Sequence, residues 1–395
     1  MKQTMTTAET LPVDVGQACL VGRVWLPPAS DDVGGPCIVV VREQRLIDIS
    51  ASAPTMSSLL EQANPAEFVR QLPGKDLGLL DDWIVSTCQH GAATSARHLL
   101  APCDLQVVKA AGVTFAASMV ERVIEEQAQG DATRADAIRE QVNTAVGRNL
   151  QALIPGSPEA QNVKQVLINQ GLWSQYLEVG IGPDAEIFTK AAPMSSLGSM
   201  TSIGLHPASS WNNPEPEIVL AVSSRGTVVG AALGNDVNLR DFEGRSALLL
   251  GKAKDNNGAC AIGPFIRLFD DEFGIDQVRN AELELTIDGP EGYQLKGKSS
   301  MNRISRDPLN LVQQAMGEFH QYPDGMMLFC GTMFAPVEDR DVPGQGFTHK
   351  LGDHVKISSP FLGSLANTVG HSDAIPPWTF GVNALIKNLV RRGLV

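Results

Sequence analysis

Beyond about residue 177 the chain breaks into short strand-forming runs separated by glycine, proline and aspartate, and this punctuation limits its fold more than any other feature. The runs are Glu217–Val222, Thr227–Leu233, Ala261–Phe269, Ala281–Ile287, Gln294–Lys298, Met326–Cys330 and Asp353–Ser358. Turn signals such as Asp288-Gly-Pro-Glu-Gly292 part them, and one helical stretch, Leu309–Phe319, interrupts them. Closely spaced strands of this kind form an antiparallel sheet or barrel rather than βαβ units. No Gly-x-Gly-x-x-Gly stands between a strand and a helix, so a dinucleotide-binding domain is not expected.

The preceding chain reads differently. Residues 1–16 are polar and are expected to be disordered. Over 17–105, a strand at Val21–Leu26, two strands within Pro36–Ile49 turning at Arg42-Glu-Gln44, and a helix from Thr55 or Ser57 to Ala63 describe a smaller α+β domain. Residues 106–175 read as a helical connector. Phe115, Ala116, Met119, Val120, Val123 and Ile124 form one helical stripe, and Ala137, Ile138, Val142, Ala145 and Val146 a second, with Glu125, Glu126 and Arg139 on solvated faces. Residues 176–395 then form the domain that holds the chemistry, and the whole chain is of the α+β class.

Within that domain Trp211-Asn-Asn-Pro-Glu-Pro-Glu217 sets two carboxylates one residue apart, and Asp236 follows nineteen residues after Glu217. Alternate residues of an extended segment share a face, so Glu215 and Glu217 point the same way. Either they are solvated residues of an edge strand, or, with Asp236 at the end of a neighbouring strand, they converge as oxygen ligands for a hard divalent cation. Lys252 and Lys254 follow. A lysine becomes a competent base when burial or a nearby cation lowers its pKa. A cation that polarises a 2-oxo acid would acidify the adjacent carbon for such a base.

Charge and cysteine usage narrow the partners. With 31 Lys and Arg against 44 Asp and Glu, the formal charge is −13, which argues against nucleic-acid binding. The six cysteines form no Cys-x-x-Cys pair and read as buried thiols of a reducing cytosol. There is no apolar run of membrane-spanning length and no secretory signal, so a cytoplasmic protein is expected.

Taken in order, Glu186-Ile-Phe-Thr-Lys190, Pro214-Glu-Pro-Glu217, Asn235-Asp236 with Arg240-Asp241, Lys254 ahead of Ile262-Gly-Pro264, Leu328-Phe-Cys-Gly-Thr332 and Gly352-Asp-His-Val-Lys-Ile357 resemble the catalytic domain of the fumarylacetoacetate hydrolase family over roughly residues 184–370. The resemblance implies a mixed β-barrel or roll. It also implies Mg²⁺, replaceable by Mn²⁺ or Ca²⁺, on Glu215, Glu217 and Asp236, and an assembly of two or four copies. It puts Thr332 at a substrate carboxylate and Lys254 in the site, with Lys252 as its rival. Arg240 and Lys190 are the further cations available to an anionic substrate.

The hydrolytic branch of that family activates water with a His-Glu dyad, usually on a lid helix before the metal strand. Here the segment before that strand holds only His206, in what reads as a turn. The compact Glu217-to-Asp236 interval and Glu186 resemble instead the family's 2-keto-3-deoxy pentonate dehydratases. That likeness implies Lys254 as base and Glu186 as acid in the loss of the C4 hydroxyl of a 2-oxo acid. Hydrolysis of an acylpyruvate or diketo sugar acid is the alternative.

Overall fold

The computed structural model describes residues 5–30, 32–129, 131–135, 138, 153–169, 173–332, 334, 336, 338–341, 343 and 346–395. Its frame is two sheets. The larger has eleven strands, and the central part of its order runs Leu20–Leu26, Cys260–Leu268, Val228–Asp236, Pro216–Val222, Met326–Phe329, Val107–Gly112, Glu186–Ala191. The smaller runs Gln294–Ser300, Glu282–Asp288, His354–Ser359, Gly363–His371, Ser202–Leu205. Most pairings are antiparallel. Met326–Phe329 with Val107–Gly112 and Gly363–His371 with Ser202–Leu205 are parallel, so both sheets are mixed. Both sheets are open paths, and the described strands close no barrel.

The strand Pro216–Val222 shows why the middle of the large sheet is rigid. Ile218, Leu220 and Val222 pack with Leu285, Ile287, Ile357 and Leu365 of the smaller sheet. On the opposite face, Val219 and Ala221 pack with Met56, Leu59 and Leu60 of the helix Met56–Leu60. A strand buried on both faces is an uninterrupted apolar run, as Ile218-Val-Leu-Ala-Val222 is.

The strands expected in the second half of the chain are all present within a few residues of their expected bounds. The N-terminal hairpin turns at Glu43 and Gln44, both at positive φ (48° and 61°). Its neighbour Leu20–Leu26 pairs with Cys260–Leu268 at Leu20↔Arg267 and Val21↔Ile266. The N-terminal strands therefore extend the sheet that carries the acidic residues.

Three expectations are corrected. Residues 5–16 are ordered: Thr6 and Glu9 form a capping box on the helical turn Thr7–Thr10, and Asp14 makes a two-pronged ion pair with the buried Arg267 at 2.7 and 2.8 Å. The 106–175 segment is not purely helical, because the β-branched Val107-Val108 opens the strand Val107–Gly112. Glu125 lies on no solvated face; it is 2% exposed on the helix Ala116–Ala128. The second helical stripe lies almost wholly outside the described residues. No helix among the described residues is long and apolar enough to cross a membrane.

Asp104 ties the N-terminal strands to the frame. Its carboxylate accepts from the backbone N–H of Met56 (2.6 Å) and Ser57 (3.1 Å), at the start of a helix, and lies 3.7 Å from the buried Arg23. Asp104→Ala leaves two helix donors unmet and a buried guanidinium with carbonyl acceptors in place of its carboxylate. We expect a loss of about 3 kcal/mol in urea unfolding; a loss under about 1 kcal/mol would show that solvent satisfies these groups.

Candidate metal centre

Glu215 immediately precedes the strand Pro216–Val222, and Asp236 is the last residue of its neighbour Val228–Asp236. The Asp236 N–H donates to the Glu215 carbonyl at 3.0 Å, and Glu217 lies in register with Gly234. The hairpin thus brings residues nineteen or more positions apart side by side. Glu215, Glu217 and Asp236 are 3%, 2% and 1% exposed. Each offers an oxygen within 4.8 Å of the others, so the three together can hold a metal ion.

Each carboxylate has its own support. Lys254 Nζ donates to Glu215 Oε2 (2.5 Å) and to Asp236 Oδ2 (3.1 Å). Lys190 Nζ stands 2.7 Å from Asp236 Oδ1 and donates to the carbonyls of Val237 and Lys254. Glu217 Oε2 accepts from the Gly331 N–H at 2.6 Å. Gly331 has φ +92°, and a Cβ there would fall 2.1 Å from Thr114 Oγ1, so only glycine presents this N–H without strain.

These contacts displace the pKa values of three of the groups. Burial and then the neighbouring Asp236 and Glu215 push Glu217 well above the carboxylate range. Burial would raise Asp236 too, but Lys190 and Lys254 outweigh it and hold its pKa down. Burial opposes the charge on Lys254, yet Asp236 and Glu215 keep its pKa above that of an ordinary lysine.

A small cavity of about 20 Å³ opens on this cluster, lined by Glu186, Phe188, Arg122, Glu243, Lys254, Thr332, the three acids and Ala111, Gly112 and Val113. Glu186 pairs across the sheet with Gly112, and its Oε2 lies where a Cβ on Gly112 would be, 1.9 Å from that position. Burial, and next the charge of Glu243, raise its pKa to about 7. The residue as a whole is only half-buried, and the carboxyl is the part set against Gly112.

Of the residues expected at the site, Glu186, Glu215, Glu217, Asp236, Lys254 and Thr332 line this one cavity, and Lys190 supports it from behind. Thr332 Oγ1 bonds to the carbonyl of Pro216, between the two glutamates, and to that of Phe334 in its own loop. Arg240 is elsewhere. Its Nε donates to Asn213 Oδ1 at 2.8 Å and lies 3.3 Å from Glu125, and its guanidinium sits over the Trp211 ring. Lys252 is also away from the cavity, exposed, with its ammonium over Phe242. The reason is that Leu250–Lys254 is a helix and not a strand, so residues two apart diverge. His206 packs on Phe242, and no described residue lining the cavity is a histidine.

Sequence reasoning passed over Arg122 and Glu243. Arg122 reaches Glu215 Oε1 (2.6 Å), Glu125 Oε2 (2.6 Å) and Glu243 Oε2 (2.9 Å) from the helix Ala116–Ala128. Its position, seven residues after Phe115 and three after Met119, set it on the apolar face, and that was the available signal.

Fold and site together define a protein of two mixed sheets that carries a three-carboxylate cation site beside a buried lysine. Residues 162–370, more than half of the chain, match the fumarylacetoacetate (FAA) hydrolase C-terminal family, and the chain belongs to that family. The chain is 30% identical over 194 residues to a probable 2-keto-3-deoxyxylonate dehydratase of Haloferax volcanii, covering 49% of this chain and 63% of that one. It is 29% identical over 184 residues to a 2-dehydro-3-deoxy-D-arabinonate dehydratase of Saccharolobus solfataricus, covering 47% and 58%. The matches thus span about six-tenths of these relatives. Among solved structures, 2-keto-3-deoxy-D-arabinonate dehydratase in its apo form superposes with a TM-score of 0.60 at 19% identity, over 89% of this chain and 99% of that one. The same enzyme complexed with magnesium and 2,5-dioxopentanoate gives 0.59 at 20% identity, over 89% and 99%. At these identities the superpositions speak for the fold.

A cation binding only the folded state raises stability by mass action, by about 2.7 kcal/mol at a hundredfold excess over Kd. Mg²⁺ or Mn²⁺ should therefore raise the unfolding midpoint. Glu217→Gln should remove that increase and weaken Mn²⁺ binding measured by electron paramagnetic resonance. An unchanged Mn²⁺ affinity in this variant would exclude Glu217 from the ligand set.

Proposed function

We propose that the chain is a Mg²⁺-dependent hydro-lyase that converts a 2-dehydro-3-deoxy-D-pentonate to 2,5-dioxopentanoate. The observation that carries this reading is the pairing, in one cavity, of a lysine touching two carboxylates able to hold a cation with a separate carboxyl, Glu186, whose neutral form burial favours. The names of the curated relatives support it.

A bound divalent cation supplies Lewis-acid polarisation of the 2-oxo group, which acidifies the C3 hydrogens. Lys254 takes one of those protons. Asp236 and Glu215 favour its charged form while burial opposes it. Once the charge of those carboxylates is engaged elsewhere, burial is what remains, and it favours the neutral amine that serves as base. Glu186 is the acid. Neutral below about pH 7, it gives its proton to the C4 hydroxyl, which leaves as water. The C3–C4 double bond left behind shifts by tautomerisation, and C5 becomes the aldehyde carbon. Thr332 is assigned to the substrate carboxylate, and Lys190 to the electrostatic support of Asp236.

The test incubates purified protein and Mg²⁺ with 2-keto-3-deoxy-D-pentonate and couples the product to a semialdehyde dehydrogenase. Cleavage of acylpyruvates without semialdehyde formation would replace the dehydratase by a hydrolase. Lys254→Ala should lower kcat by about a thousandfold with Mn²⁺ binding retained, and Lys252→Ala should stay within about twofold of the native rate. A neutral acid is lost as pH rises through its pKa, so turnover should fall on the alkaline side. Glu186→Gln should abolish that limb; a limb unchanged in this variant would assign the acid to another group.

A further inference from the structure

One buried carboxylate in the cavity is used neither by the cation site nor by the acid–base pair. Glu243 ends the short helix Arg240–Glu243, is 3% exposed, and lines the same cavity as Glu186. Arg122 Nη1 lies 2.9 Å from its Oε2, yet that oxygen takes part in no aligned hydrogen bond. Glu243 is thus anchored by an ion pair, with acceptor capacity to spare.

Among the described residues, the charged groups acting on Glu186 come from several elements. Glu243 and Glu215 are the acidic ones, Arg122 and Lys254 the basic ones. Tyr176, on the helix Gln175–Ile181, stands among Glu243, Arg122, Glu125 and Glu186. Glu243 is the strongest of the charged neighbours. Where protein surrounds two carboxyls lining one small cavity, a negative charge on one favours the neutral form of the other. Gly112 contributes by letting the Glu186 carboxyl approach the sheet, where a side chain would push it out.

We propose that Glu243 is a positioning residue for the acid: its charge, fixed in place by Arg122, holds on Glu186 the proton that the departing hydroxyl needs. The use of that proton rests on the dehydratase reading. The coupling of the two carboxyls does not, and it belongs to the protein without substrate or metal.

The test is an infrared titration of the full chain, metal-free and labelled with ¹³C-glutamate. It follows the protonated-carboxyl band that Glu186→Gln removes. In the native protein that band should vanish around pH 7. Glu243→Gln keeps the size and removes the charge; its midpoint should fall by about one pH unit. Glu243→Asp draws the charge back by one methylene and should give a smaller fall of the same sign, which decides the matter should the glutamine variant not fold. A midpoint that stays put or rises in these variants, or the lack of a Glu186 band in the native protein at pH 6, overturns the proposal. With Mg²⁺ and 2-keto-3-deoxy-D-pentonate, the alkaline limb of kcat/KM should move to lower pH in Glu243→Gln, while Mn²⁺ affinity changes little. Should no pentonate be turned over, the dehydratase reading falls, and the infrared result still decides the coupling.

Discussion

The structure depends on burying Glu215, Glu217 and Asp236 within 4.8 Å of one another. Desolvation and mutual repulsion both oppose this, and each is worth several kcal/mol unless compensated. The fold compensates with rigidity as well as charge. Pro216–Val222 is packed on both faces, so the acids cannot swing out to water without opening the core between the sheets. The Gly331 N–H, Lys190 and Lys254 then meet the oxygens individually.

That arrangement explains which parts of the site could be read from the chain. Glu215, Glu217 and Asp236 were legible because their convergence follows from strand alternation and one hairpin, both local rules. The choice between Lys252 and Lys254 was not, since it turns on a five-residue helix, Leu250–Lys254, that lacks a periodic signal of its own. Gly363–His371 was missed for a similar reason. Its Gly, Ser, Asn and Thr residues give no clean alternation, and it is a strand because the smaller sheet and Ser202–Leu205 flank it.

Arg122, Glu125 and Glu243 illustrate a second limit. Charged residues on a helix are usually solvated, so Glu125 read as surface. What overrides the rule is tertiary. The helix Ala116–Ala128 packs on the helices Gln175–Ile181 and Arg240–Glu243, and Arg122 answers Glu215 and Glu243 while Glu125 answers Arg240. No spacing within 111–153 encodes a partner that lies some ninety or more residues further along the chain. The N-terminal strands are similar. Each was legible as a strand, but their continuation of the large sheet through Cys260–Leu268 is a pairing between distant segments.

The charge of the buried cluster points to its occupant. The buried charged network, in the cavity and behind it, comprises the carboxyls of Glu125, Glu186, Glu215, Glu217, Asp236 and Glu243, answered by Arg122, Lys190, Arg240 and Lys254. Fully ionised, the set carries two more negative charges than positive ones. In the absence of a cation the cluster sheds that excess by holding protons, which is the direction in which Glu186 and Glu217 are displaced. A divalent cation closes the same deficit, whereas a monovalent one would leave a charge buried without a partner. The chain as a whole carries −13, a field that disfavours the approach of anions except where the local balance has been brought near zero. Of the three cations that hold the acids in place, Lys190 stands behind the cavity and Lys254 and Arg122 line it, so two of the residues that make the burial of three carboxylates tolerable also face whatever enters.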